Sequence, residues 1–123
     1  MELTKNELQI LTVMWHSNTP LTSAEIRESS TDRKWSDNSL YAIINNLMEK
    51  GVIKKHGFTE DGGSPARTYV PVLTRDNYYD TVFAEYQTEE FPAILAALAK
   101  RARLDDEVKR ELRKAIEELH LEV

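Results

Sequence analysis

The change from a helical to a β pattern at Gly51 constrains the fold of this chain more than any other feature. Residues 36–50 carry apolar side chains at the spacing of one buried helical stripe: Leu40, Ile43, Ile44, Leu47 and Met48. Ser36 is suited to cap the start of this helix, and Gly51 is suited to end it in a left-handed conformation. Residues 52–58 and 67–72 are β-rich runs around a tip that contains Gly and Pro, so a hairpin is predicted directly after the helix.

Two shorter helices are predicted before this segment. Thr4 with Glu7, and Thr22 with Glu25, have the spacing of a capping box, which predicts helices over residues 4–16 and from Thr22 to about residue 30. Three helices followed by a hairpin are the layout of a winged helix-turn-helix. In that fold the third helix enters the major groove of DNA, and the hairpin, called the wing, lies along the backbone.

The remainder of the chain returns to helical patterns that start near Thr74, Pro92 and Asp105. The predicted fold class is therefore mainly α with a small β-hairpin, with a winged-helix DNA-binding domain over residues 1–73 and a helical dimerisation region over residues 74–123. The C-terminal helices carry more apolar surface than the small N-terminal domain can cover, and such a surplus usually marks an oligomer interface. The residues predicted for dimerisation are Tyr79, Val82, Phe83, Tyr86, Phe91, Leu95, Leu98, Leu112 and Ile116.

Composition limits the class of protein further. The chain has no cysteine, which excludes disulfides and thiolate chemistry, and its longest apolar run is too short to insert into a membrane, so a cytoplasmic location is expected. The net charge of −5 argues, by itself, against binding to DNA phosphates. The charge is uneven, however: residues 1–73 have eight basic and nine acidic side chains, whereas residues 74–123 have eight and twelve. Most of the acidity thus lies outside the predicted DNA-binding domain.

No pattern in the chain indicates catalysis or a bound cofactor. His16, His56 and His120 lie on different predicted elements, without the spacing of a metal site, and Ser39 lacks the flanking glycines of a nucleophile elbow. The chain is therefore predicted not to be an enzyme and to need no metal or cofactor.

The segment WSDNSLYAIINNLMEKGVI, residues 35–53, resembles the recognition helix of the BlaI/MecI penicillinase-repressor family. The capping pairs near the N-terminus and the helical tail fit the same pattern. The resemblance implies a homodimeric transcriptional repressor that binds double-stranded DNA at a palindromic operator, with a membrane sensor protease acting upstream. Mapped residue by residue, the family's DNA-contacting positions correspond here to Asn38, Ser39, Tyr41, Asn45 and Asn46.

Two departures from the family pattern affect the expected function. At Asn38, Tyr41 and Asn46 the family commonly has Lys or Arg, so charge-assisted contacts are lost, and an altered operator or a weaker affinity is expected. Ala97 and Leu98 stand where staphylococcal members are cleaved between Asn and Phe, so release by that same cleavage is not expected.

The predicted contacts divide into base readout and phosphate binding. Asn38, Ser39, Tyr41 and Asn45 are predicted to read bases. Asn46 and the wing residues Lys54, Lys55 and Arg67 are predicted to bind phosphates, although the wing charges could serve only to protect an edge strand from aggregation. Arg27, Arg33 and Lys34 could add contacts to the DNA backbone.

Two other interpretations of the function stay open: a winged-helix protein-interaction module that has lost DNA binding, and a ligand-responsive regulator of the PadR type.

Overall fold

The computed structural model describes residues 2–59, 63–101 and 105–121, with side chains described as far as residue 118. The hairpin-tip residues 60–62 and the side chain of His120 lie outside this part. The chain divides into two compact units, Met1–Val82 and Phe83–Val123.

The first unit contains helices and a small sheet. Its elements are α1 (Lys5–Trp15), β1 (Leu21–Thr22), α2 (Ser23–Ser29), α3 (Asp37–Glu49), β2 (Ile53–Phe58), β3 (Arg67–Pro71) and, apart from its last residue, α4 (Arg75–Phe83). The sheet has three antiparallel strands in the order β1-β3-β2. The sequence predicted β2 and β3 but not β1, because two residues are too few to show an alternating pattern. The predicted winged-helix fold class is confirmed.

Both predicted capping boxes form at the starts of α1 and α2. The Thr4 hydroxyl accepts a bond from the Glu7 amide at 3.1 Å, and the Glu7 carboxylate accepts one from the Thr4 amide at 2.8 Å. Thr22 and Glu25 repeat the arrangement at 3.1 and 3.0 Å. Since Thr22 also belongs to β1, the cap joins this short strand directly to α2.

The two ends of α3 are closed in different ways. At its C-terminus, Gly51 has a φ of +74°, the Gly51 amide donates to the Met48 carbonyl at 3.0 Å, and the Val52 amide donates to the Leu47 carbonyl at 3.2 Å. These bonds form a Schellman motif, as the glycine predicted. At its N-terminus, Ser36 occupies the cap position, but its hydroxyl lies 3.0 Å from the Ser39 hydroxyl instead of capping the backbone.

The apolar stripe of α3 lies in the core of the first unit. Leu40, Ile43, Ile44 and Leu47 are all buried there. They belong to one cluster with residues of α1, α2, the sheet and the segments on either side of α3, namely Ile10, Leu11, Met14, Leu21, Ile26, Trp35, Val52, Ile53 and Tyr69. Because this side of α3 faces the core, its opposite side faces outward.

Aromatic contacts pack α4 against α1 within the first unit. The Trp15 indole nitrogen donates to the Leu73 carbonyl at 2.8 Å, and the Trp15 ring lies 5.7 Å from Tyr78 and 6.3 Å from Tyr79 between centroids. Tyr79, which was predicted for dimerisation, therefore has aromatic neighbours in its own unit.

The second unit begins with Phe83 and continues through a 3-10 turn (Thr88–Glu90), α5 (Phe91–Arg101) and α6 (Asp106–Leu121). Asp105 caps α6, accepting a bond from the Val108 amide at 2.8 Å. Phe83 and Tyr86 were both predicted for dimerisation. α4 ends at Phe83, and Tyr86 lies in the following turn, with 5.9 Å between the two ring centroids.

Candidate nucleic-acid interface

The outward side of α3 carries the residues predicted to contact DNA. Asn38, Tyr41 and Asn45 are exposed and lie at helical spacings of three and four, so they share one face. Ser39 and Asn46 are also exposed and lie on one flank of that face, whereas Tyr41 lies toward the other flank. The helix thus brings all five predicted positions onto one solvent-facing surface.

Tyr41 makes a contact that the sequence did not predict. Its side chain is 61% exposed, and its hydroxyl accepts a bond from the Ser23 hydroxyl at 3.3 Å. Ser23 is the first residue of α2, so this bond joins the start of α2 to the outward face of α3. A separation of 18 residues left no signal of this contact in the sequence.

The three cations of α2 and the following loop that could contact the DNA backbone differ in their surroundings. Arg33 forms an ion pair with Asp37 at 2.6 Å, donates to the Arg27 carbonyl at 3.3 Å, and lies 4.9 Å above the Trp35 ring. Its charge is therefore already partnered at the first turn of α3. Arg27 is half-buried and Lys34 is exposed.

The wing presents its predicted cations on two strands. Lys54 and Lys55 are exposed on β2, an edge strand of the sheet. The register with β3 shifts between Lys55 and Gly57, so His56 is the extra residue of a β-bulge, a feature that increases local twist.

Arg67 lies on an aromatic platform near the wing tip. Phe58 pairs with Arg67 across the two strands, and the guanidinium carbon is 4.1 Å from the centre of the Phe58 ring. Phe58 is 56% exposed, so the pair stands at the surface. The sequence reasoning missed Phe58, since only the strand register shows that it faces Arg67.

The electrostatic character of this surface comes from the wing rather than from α3. Residues 37–49 contain Asp37 and Glu49 but neither Lys nor Arg. Lys50, just beyond the helix, donates to the Glu7 carboxylate at 2.6 Å and to the Glu2 carbonyl at 2.9 Å. The recognition face of α3 is therefore polar and uncharged apart from its acidic ends. Of the cations predicted to contact DNA, Lys34, Lys54 and Lys55 are exposed, and Arg27, Arg33 and Arg67 are half-buried.

The described residues also bear on metal and membrane binding. Within residues 2–59, 63–101 and 105–121, no cluster of three or more His, Asp or Glu side chains could hold a metal ion. In the same part of the chain, none of the helices combines the length and the apolar character that a bilayer span requires.

Three helices, a twisted hairpin and an exposed polar face on the third helix together define a winged-helix transcription regulator. The family model described as penicillinase repressor matches residues 3–118, and the chain belongs to that family. It is a DNA-binding repressor by class, which confirms the interpretation that it regulates transcription and is not an enzyme. Comparison with curated proteins yields no match.

Solved structures with a similar fold include several of MepR, a transcription regulator of the Staphylococcus aureus multidrug efflux pump MepA. One superposes with a TM-score of 0.52 at 14% identity, covering 98% of this chain and 80% of that chain. The S. aureus MepR G34K mutant gives 0.53 at 15%, covering 98% and 79%. S. aureus MepR in a DNA-binding conformation gives 0.51 at 16%, covering 98% and 80%. At such identities the likeness concerns the fold alone.

Proposed function

We propose that the chain is a homodimeric repressor that binds a palindromic operator, with the recognition helix (residues 36–50) in the major groove and the wing (residues 52–72) on the backbone. The observation that carries the proposal is the outward face of α3 in a chain of the penicillinase repressor family. That face exposes Asn38, Tyr41 and Asn45, side chains that form directed hydrogen bonds, in place of the Lys and Glu usual on a solvated helix.

The chemistry of this face favours particular bases. An Asn side chain can form two hydrogen bonds with the N6 and N7 atoms of adenine, whereas guanine is usually read by Arg or Lys. Since α3 has neither cation on its outward face, we expect an operator with A·T pairs under Asn38 and Asn45. The wing cations Lys54, Lys55 and Arg67, and Asn46 of α3, would add phosphate contacts that do not depend on the base sequence.

The proposal assigns DNA binding to residues 1–73 and dimerisation to residues 74–123. Support for dimerisation comes from an apolar groove of about 330 Å³ in the second unit, lined by Phe83, Phe91, Ile94, Leu95 and Leu98. A second copy of the chain would cover this groove and would set two α3 helices about 34 Å apart, one turn of DNA.

The proposal also covers the setting in which the repressor works. A repressor must share a compartment with its operator, which here means the cytoplasm. An upstream membrane sensor protease acting at the family's cleavage position would have to cut between Ala97 and Leu98 in α5. Because Ala97 and Leu98 differ from the Asn and Phe cleaved in staphylococcal members, DNA binding should be tested before the inducing signal.

Selection from a library of random duplexes tests this function directly. The chain is incubated with the library, bound duplexes are enriched, and the enriched sequence is measured by fluorescence anisotropy at two salt concentrations. We expect a dyad with half-sites about 10 base pairs apart and an affinity that falls as salt rises. Sedimentation of the complex should give two chains per duplex.

The alternative function is a protein-interaction module that has lost DNA binding, and the lack of cations on α3 is the observation that motivates it. If selection enriches no sequence, and the chain binds all duplexes weakly and alike, the operator proposal is wrong.

A further inference from the structure

Ser23 lies at the edge of the proposed interface and was assigned no role by the sequence. Its hydroxyl donates to the Tyr41 hydroxyl at 3.3 Å, between the first residue of α2 and the outward face of α3. Ser23 is half-buried, whereas Tyr41 is 61% exposed. The bond therefore ties the end of a long, exposed side chain to a more enclosed residue on a neighbouring helix.

The direction of this bond decides what Tyr41 can bind. A phenol hydroxyl has one proton to donate and can also accept. Because Ser23 donates to the Tyr41 oxygen, the Tyr41 proton is available to an acceptor outside the chain. Accepting one hydrogen bond also polarises a hydroxyl and strengthens the bond that it donates. Tyr41 is thus prepared to meet an acceptor atom rather than a donor.

We propose that Ser23 is a positioning residue that holds Tyr41 as a hydrogen-bond donor to an acceptor atom of the operator. This inference rests on the proposed function. Two sources can supply the acceptor in DNA: a phosphate oxygen, or a base edge such as N7 or O6 of guanine, N7 of adenine or O4 of thymine. Fixing the side chain before binding would reduce the entropy that is lost when the complex forms.

A double-mutant cycle on the full chain tests this role. Ser23→Ala, Tyr41→Phe and the double variant are compared with the wild type on the selected operator duplex and on a scrambled duplex of equal length. From the usual strength of one hydrogen bond, we expect each single change to weaken operator binding by about three- to tenfold. The double variant should bind no more weakly than Tyr41→Phe, because Ser23 acts only through the Tyr41 hydroxyl.

Two further variants separate positioning from a structural role. Ser23→Thr keeps a hydroxyl and should bind the operator with wild-type affinity. Ser29→Ala, at the exposed other end of α2, should also leave the affinity unchanged. Thermal unfolding of Ser23→Ala should stay close to that of the wild type, since Ala favours a helix at least as well as Ser. A loss of affinity confined to the operator identifies a base acceptor, whereas an equal loss on both duplexes identifies a phosphate; either result supports the proposal.

Other results would overturn it. Wild-type affinity in Ser23→Ala, multiplied losses in the double variant, or a loss that merely follows a lowered unfolding temperature would each exclude a positioning role while leaving the proposed function intact. If the wild-type chain itself selects no duplex, the proposed function fails and this inference fails with it.

Discussion

Lys50 and Glu7 form an ion pair, with 2.6 Å between the ammonium nitrogen and a carboxylate oxygen. The pair joins Lys50, the residue directly after α3, to the first turn of α1, and Glu7 is only 2% exposed. Burial raises the pKa of Glu7, but hydrogen bonds from Lys50 and Thr4 and the charge of Lys50 outweigh it, so the pKa lies below its ordinary value. The same carboxylate therefore caps α1 and attaches α1 to the end of the recognition helix.

Removing the cation should destabilise the first unit. Lys50→Met keeps the aliphatic stem but leaves the buried Glu7 carboxylate without its charged partner, and we expect a loss of about 1–3 kcal/mol in the free energy of unfolding. Chemical denaturation measures it. Lys5→Met is the matched control, because Lys5 is exposed on the same helix as Glu7. Equal effects of the two changes would show that the ion pair contributes nothing to stability.

Acidification should remove the contribution of Glu7. Because its pKa is lower in the folded chain, the stabilisation is complete above the ordinary carboxyl pKa, about 4.3, and is lost as the pH falls through the lower folded value. Thermal unfolding from pH 7 to pH 3 should show a steeper loss in the wild type than in Glu7→Gln. Glu25→Gln changes the other capping box at an exposed position, and it should keep the wild-type slope.

Substituting Gly51 should cost stability through backbone conformation alone. A Cβ added at this position meets no atom within 4 Å, but the backbone φ of +74° is unfavourable for residues other than Gly and Asn. We expect Gly51→Ala to lose about 1–2 kcal/mol in the free energy of unfolding and Gly51→Asn to lose less. Gly57, where an added Cβ also meets no atom within 4 Å, provides the control, and Gly57→Ala should lose nothing. A similar loss at both glycines would contradict a specific role for the Schellman motif.

The proposed sorting of DNA contacts predicts two classes of variant. Asn45→Ala should weaken operator binding by about 1–3 kcal/mol and relax the base preference, whereas Lys54→Ala should weaken binding to all sequences about equally and reduce the salt dependence. Anisotropy on operator and scrambled duplexes measures both effects. Asn18→Ala and Lys5→Ala, at exposed positions outside α3 and the wing, are the controls. The sorting is wrong if the Asn45 and Lys54 variants lose the same affinity on both duplexes.

A charge in the apolar groove of the second unit should abolish the proposed dimer. Leu98 lines that groove and is 52% exposed, so Leu98→Glu should give monomers in sedimentation and should weaken operator binding by about tenfold or more as the two linked contacts become one. Ala96→Glu places the same charge on another side of α5 and should stay dimeric. A dimer in both variants would place the interface elsewhere.

Features that depend on close neighbours in the chain were predictable from the sequence. The capping boxes at Thr4 and Thr22 and the left-handed end of α3 at Gly51 need only residues three to five positions apart, so their residue types were sufficient evidence. The apolar stripe of α3 likewise indicated which side would be buried. Its exposed polar face, and with it the surface proposed for DNA, followed from the same period.

Contacts between distant residues were decided by the tertiary structure. Ser23 meets Tyr41 only because α2 and α3 pack around one core, and Arg67 lies on Phe58 only because the strand register, with its bulge at His56, sets them opposite each other. The pair of Glu7 and Lys50 spans 43 residues in the same way. The sequence by itself determined the order of helices and hairpin that makes a winged helix, and the helix ends at Thr4, Thr22 and Gly51. Which side chains support the surface proposed for DNA depended on packing and strand register, because those contacts exist only once the whole core has formed.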